Sequence, residues 1–115
     1  MVLVALDVDG TLAGSSGPIT SEMVRQLGEK GVFWGILSSR APERSKEVTS
    51  AMAIEPSFIR TCRVYQRAEE LKALREEFPG YDRYIYVADA PQDRDETLRA
   101  GWDFCFAQDY APDLS

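Results

Sequence analysis

The chain has 115 residues, which suits one domain spanning 1–115 that can bury its own core. Its 44% hydrophobic and 28% charged shares are those of a globular protein, and no apolar run nears the roughly 20 residues of a membrane helix. A net charge of −6 disfavours non-specific nucleic-acid binding, which Lys and Arg drive. With no histidine, and with Cys62 and Cys105 far apart, zinc sites and serine–histidine triads are nearly excluded. The two thiols read as reduced filler in a cytoplasmic protein.

The start, MVLVALDVDG, reads as a buried strand over Val2 to Leu6 and not as a signal peptide. Gly14 to Pro18 is a loop by composition. Thr20 then caps a helix with Met23, Val24 and Leu27 on one side, and Gly31 ends it. Val32 to Leu37 is a second buried strand, and Pro42 opens a second helix carrying Val48, Ala51 and Met52. Ser57 to Cys62 is a short third strand. Ala68, Leu71, Leu74 and Phe78 recur at helical spacing before Pro79-Gly80. Tyr84 to Ala88 is a fourth strand, Asp93 to Ala100 a short helix, and Trp102 to Ala107 a fifth strand. The tail from Gln108 is polar, and frayed or surface-lying. Alternating strands and helices predict an α/β, Rossmann-like three-layer sandwich around a five-stranded parallel sheet. Such sheets carry their sites at the carboxyl ends of strands. Asp7 and Asp9 follow the first strand, Ser38 the second and Asp89 the fourth.

The strongest signal is Asp7-Val8-Asp9-Gly10-Thr11-Leu12. Two aspartates directly after a buried strand repel each other and lose hydration, and a divalent cation resolves both costs. Residues two apart in extended chain share a face, and Gly10 lets the chain turn. A strand-end turn alone would also use Asp-Gly, yet it does not call for the whole six-residue string.

DVDGTL resembles the first signature of the haloacid dehalogenase (HAD) superfamily. The resemblance implies Asp7 as a nucleophile that becomes phosphorylated and Asp9 as general acid and base. It also implies a Mg²⁺ site that uses the backbone carbonyl of Asp9. Thr11, inside the same string, joins the implied phosphate-binding set. The second signature is a Ser or Thr after an apolar strand, and Ser38 fits, with Ser39 as backup if the register is off by one. Arg40 next to them touches substrate or is solvated. The third is a basic residue near the start of the helix before the fourth strand. Arg67 and Lys72 are the candidates. At about 100° per residue, Arg67 falls near the apolar stripe and Lys72 about 100° away from it. Arg67 is favoured, although lysine is usual there; it keeps the charge and offers a fork suited to phosphate. The fourth signature, GDxxxD, fits Asp89 and Asp93 with Ala88 in place of glycine. It implies Asp7, Asp9, Asp89 and Asp93 as the metal set, while Asp95 reads as exposed.

The resemblance spans Val2 to about Ala107. The stretches from Asp7 to Ser38 and from Ser38 to Arg67 have no room for a cap domain. A capless phosphatase acting on a phosphorylated small molecule is therefore expected. DVDGTLA, SSR and LRAGWDFCFAQDY also resemble, more loosely, the phosphatase half of phage-type polynucleotide kinases, which implies 3′-phosphate nucleic-acid ends as the alternative substrate. A non-catalytic HAD-fold binding domain is the rival reading, against which both Asp7 and Asp9 are retained. An exposed site with Trp34, Tyr81 and Tyr84 permits a homo-oligomer.

Overall fold

A computed structural model describes residues 1–110. In chain order these form β1 (Val2–Leu6), a 3₁₀ turn (Ala13–Ser15), α1 (Ser21–Glu29), β2 (Phe33–Ser38) and α2 (Pro42–Ala51). There follow β3 (Ile59–Thr61), α3 (Arg67–Glu77), β4 (Arg83–Ala88), α4 (Pro91–Arg99), β5 (Asp103–Phe106) and a second 3₁₀ turn (Ala107–Asp109). The five strands make one parallel sheet in the order β3-β2-β1-β4-β5.

The alternation of β1 explains the two covered faces. Val4 and Leu6 point to a core shared with Val24 and Leu27 of α1 and Val48 of α2. Leu3 and Ala5 point the other way, to Ala68, Leu71 and Leu74 of α3 and to Trp102. Fully burying one such aliphatic side chain stabilises by roughly 1.5–3 kcal/mol. Gly35, inside β2, leaves the space that the Phe58 ring fills, so a side chain there would strike the ring.

The helix punctuation follows local chemistry. Thr20 Oγ1 accepts the Met23 N–H at 3.2 Å, closing the start of α1. Gly31 takes φ +76° just past its end. Several expected boundaries move. Helix α4 starts at Pro91, two residues earlier than expected, because proline's fixed φ suits the first turn; Asp93 thereby joins that turn. The third strand is shorter than Ser57–Cys62, although Ser57 and Cys62 still donate to the Trp34 and Ser38 carbonyls at its ends. The Gly14–Pro18 loop opens inside a 3₁₀ turn and buries Ser15. The tail is not simply frayed: Ala107–Asp109 form a turn and Tyr110 is buried; the rest of that tail lies outside the described residues. Among the described residues, no helix is long and apolar enough to cross a membrane.

Candidate active site

The strand order reverses between β1 and β4, where the chain returns from β3 to pair with β1 on its other side. In an open parallel sheet this crevice, at the carboxyl ends, is where ligands bind. Asp7 leaves β1 here, and its N–H still bonds the Val87 carbonyl at 2.9 Å. Asp89 leaves the neighbouring β4, and Asp93 sits in the first turn of α4. Carboxylate oxygens of Asp7, Asp89 and Asp93 lie within 4.8 Å of one another. Asp7 and Asp93 are buried, whereas Asp89 is exposed. Gly10, at φ +74°, passes so close to Asp89 that any Cβ would collide with its carboxylate. Ala88 is fully buried in the core, so the methyl that replaces the usual glycine points away from the loop's work.

Burial pushes the Asp7 carboxyl up to about 7, against the Val8 N–H and Arg67, which favour its ionised form; Asp93 and Asp89 push the same way as burial. Burial raises Asp93 as well. Hard oxygen donors this close, short of positive charge, are a set that Mg²⁺ fits.

Among the described residues the one buried cation is Arg67, 4% exposed at the first position of α3. Its Nη1 donates to Asp93 Oδ1 at 2.5 Å and to Glu96 Oε2 at 3.4 Å. Its Nε donates to the Tyr86 hydroxyl at 3.1 Å, and its backbone N–H to Glu96 Oε1 at 3.0 Å. Tyr86 donates onward to the Leu37 carbonyl at 2.9 Å. Burial alone would lower the Arg67 pKa, but Tyr86 and Asp93 leave it above its ordinary value. Lys72 is exposed on α3 and takes no part in the cluster.

Asp9 stands apart from the three carboxylates. Its Oδ1 accepts from Ser15 Oγ at 2.5 Å and its Oδ2 from Arg40 Nε at 2.8 Å, with Arg44 Nη2 3.7 Å from Oδ1. The Ser15 bond, opposed by partial burial and aided by Arg40, holds the Asp9 carboxyl below its usual range. Ser38 closes β2, is 1% exposed, and accepts the Arg40 N–H at 3.1 Å. Ser39 and Asp95 are exposed. Thr11 is fully buried, and its Oγ1 has no hydrogen-bond partner among the described residues. Both cysteines are free and half-buried; burial pushes Cys62 up to about 11, which leaves it an inert thiol.

Sequence reasoning missed Glu96, Tyr86, Ser15 and Arg44. For Glu96 a signal existed: Asp93, Glu96, Thr97 and Ala100 recur at helical spacing and are all buried, so a polar stripe lies where an apolar one is usual.

No family model matches the sequence, and no curated protein matches it. Solved structures do. DsGPDH of Dunaliella salina superposes with a TM-score of 0.70 at 17% identity, covering 90% of this chain and 23% of that one. The 3-deoxy-D-manno-octulosonate 8-phosphate phosphatase of Moraxella catarrhalis, solved with magnesium, phosphate and KDO, superposes with a TM-score of 0.62 at 21% identity, covering 86% of this chain and 63% of that one. The chain thus spans about a quarter of the first and under two thirds of the second. At these identities the likeness is one of fold: a five-stranded parallel sheet between layers of helices.

Proposed function

We propose that the chain hydrolyses phosphomonoesters through a phosphorylated Asp7. The observation that carries this reading is the convergence of Asp7, Asp89 and Asp93, with Arg67 as their buried cation, at the sheet's switch point. The fold shared with a sugar-phosphate phosphatase supports it.

Asp7, Asp89 and Asp93, with the backbone carbonyl of Asp9, would hold Mg²⁺, which when bound neutralises phosphoryl charge. In the first step an Asp7 oxygen bonds to phosphorus as the bond to the leaving oxygen breaks, and Asp9 relays to that oxygen a proton taken up from solvent. In the second, Asp9 takes a proton from water as the water oxygen bonds to phosphorus, releasing phosphate and restoring Asp7. Ser38 donates to a phosphoryl oxygen and Arg67 balances its charge, while the unpartnered hydroxyl of buried Thr11 is a further donor for phosphate. Ser39 and Lys72, both exposed, have no role in this reading. The substrate class is a phosphorylated small molecule.

The test is hydrolysis of p-nitrophenyl phosphate with and without Mg²⁺, by wild type and Asp7→Asn. Metal-dependent release by wild type alone is expected. Equal release by the two proteins would overturn the assignment of Asp7.

A further inference from the structure

The position of Asp9 says where the leaving group lies, because a general acid has to reach the oxygen it protonates. Two guanidiniums border that position. Arg40 Nε is 2.8 Å from Asp9 Oδ2, and Arg44 Nη2 donates to Ser15 Oγ at 3.0 Å while standing 3.7 Å from Asp9 Oδ1. The two arginine side chains remain 64% and 38% exposed. Arg40 immediately precedes the cap residue of α2, where Ala41 supplies no side-chain cap, so the positive end of that helix dipole faces the same rim. The acidic groups nearby on α2 are Glu43, which is exposed, and Glu47, which takes Arg44 Nη1 at 3.3 Å. Across the site, Asp89 after β4 and the buried Asp93 of α4 lie with Asp7. The guanidinium of the carboxylate cluster, Arg67, is thus buried and spent on Asp93 and Glu96, whereas those of Arg40 and Arg44 beside Asp9 reach solvent.

We propose that the substrate's leaving group carries a second anionic group, a phosphate or a carboxylate, and that Arg40 and Arg44 bind it. The inference rests on the phosphatase reading above and narrows its substrate. Exposed ion pairs are weakly held, so Arg40 exchanges Asp9 for a substrate anion at little cost. A guanidinium fork bonds phosphate or carboxylate in two places at once. The exchange also serves the reaction. As it stands, Arg40 and Ser15 occupy both oxygens of Asp9, and an anion that draws Arg40 away leaves Oδ2 free to face the leaving oxygen. A neutral leaving group provides no such exchange.

The experiment pairs fructose 6-phosphate with fructose 1,6-bisphosphate, and glycerol 3-phosphate with 3-phosphoglycerate, so that the arms separate a second phosphate from a carboxylate. Wild type is expected to show kcat/KM higher by about tenfold or more for the doubly anionic member of at least one pair. Arg40→Gln/Arg44→Gln should bring that ratio near one, and Arg40→Lys should keep part of it. The same compounds are titrated by calorimetry into Asp7→Asn protein, with and without the two glutamines, circular dichroism confirming each fold. This binding arm reads the subsite even if no turnover occurs. Loss of turnover with the binding preference intact therefore sinks only the phosphatase reading. Equal affinity and equal turnover for both members of each pair, or a preference that survives both glutamines, would overturn the subsite.

Discussion

A carboxyl buried as Asp7 is takes on charge only when something nearby balances it, and this sets a pH dependence. Its folded pKa of about 7 lies above the ordinary 3.8, so the folded protein holds a proton that the unfolded chain releases. The sign follows: the contribution to stability is fullest below 3.8, declines as pH rises through the window, and the penalty is complete above about 7. At its upper limit the loss is on the order of 4 kcal/mol. Mg²⁺, which requires the ionised form, should reverse it. The metal-free protein is therefore expected to melt lower at pH 8 than at pH 5, and Mg²⁺ to raise Tm more at pH 8; a Mg²⁺-induced shift that ignores pH would contradict this. Glu96 gives a second expectation. It accepts both the backbone N–H and Nη1 of Arg67 from a site 2% exposed. Glu96→Gln keeps the shape but removes the charge, and should cost roughly 1–3 kcal/mol in urea unfolding. Glu96→Leu leaves Arg67 with less compensation, and should cost more. The grouping of Asp7, Asp89 and Asp93 was legible because each follows an apolar strand or stands four residues beyond one that does. Glu96 was marked only by its place in the polar stripe of α4, and its partner Arg67 lies 29 residues away on another helix.

Among the elements, the clearest in sequence were those whose apolar residues match one period. Val2–Leu6 is recovered residue for residue as β1, and the stripe of Ala68, Leu71 and Leu74 is the buried face of α3. Leu71 is fully buried, so Leu71→Ala is expected to destabilise by about 2–5 kcal/mol through lost transfer and the cavity left behind. Urea midpoints would show it, and a cost under roughly 1 kcal/mol would contradict the packing described. The harder boundaries were those set by tertiary contacts. Apolar pattern alone could not show that pairing with β2 shortens β3, or that Tyr110 returns to the core after the polar Gln108 and Asp109. For α4 the cue was present in Pro91, whose fixed φ weighs more than the apolar pattern of the first turn.

For the whole molecule, alternation of strand and helix implied a parallel sheet, and the rule that ligands bind at its carboxyl edge pointed to the edge where Asp7, Asp89 and Asp93 meet. What alternation cannot give is lateral order. Placing β4 beside β1 is what brings Asp89 within reach of Asp7 and leaves Ser38 on the far side, after β2. Arg67 reaches the same centre because α3 begins just past β3, on the face that packs against Tyr86 of β4. The central claim is that Asp7 carries the phosphoryl group. It is tested most directly by quenching the protein with borohydride during turnover of p-nitrophenyl phosphate in Mg²⁺ and locating reduced carboxyls by peptide mass spectrometry. The account predicts reduction to the alcohol at Asp7, and only when both substrate and metal are present. Continued release of p-nitrophenol with Asp7 unreduced would contradict it.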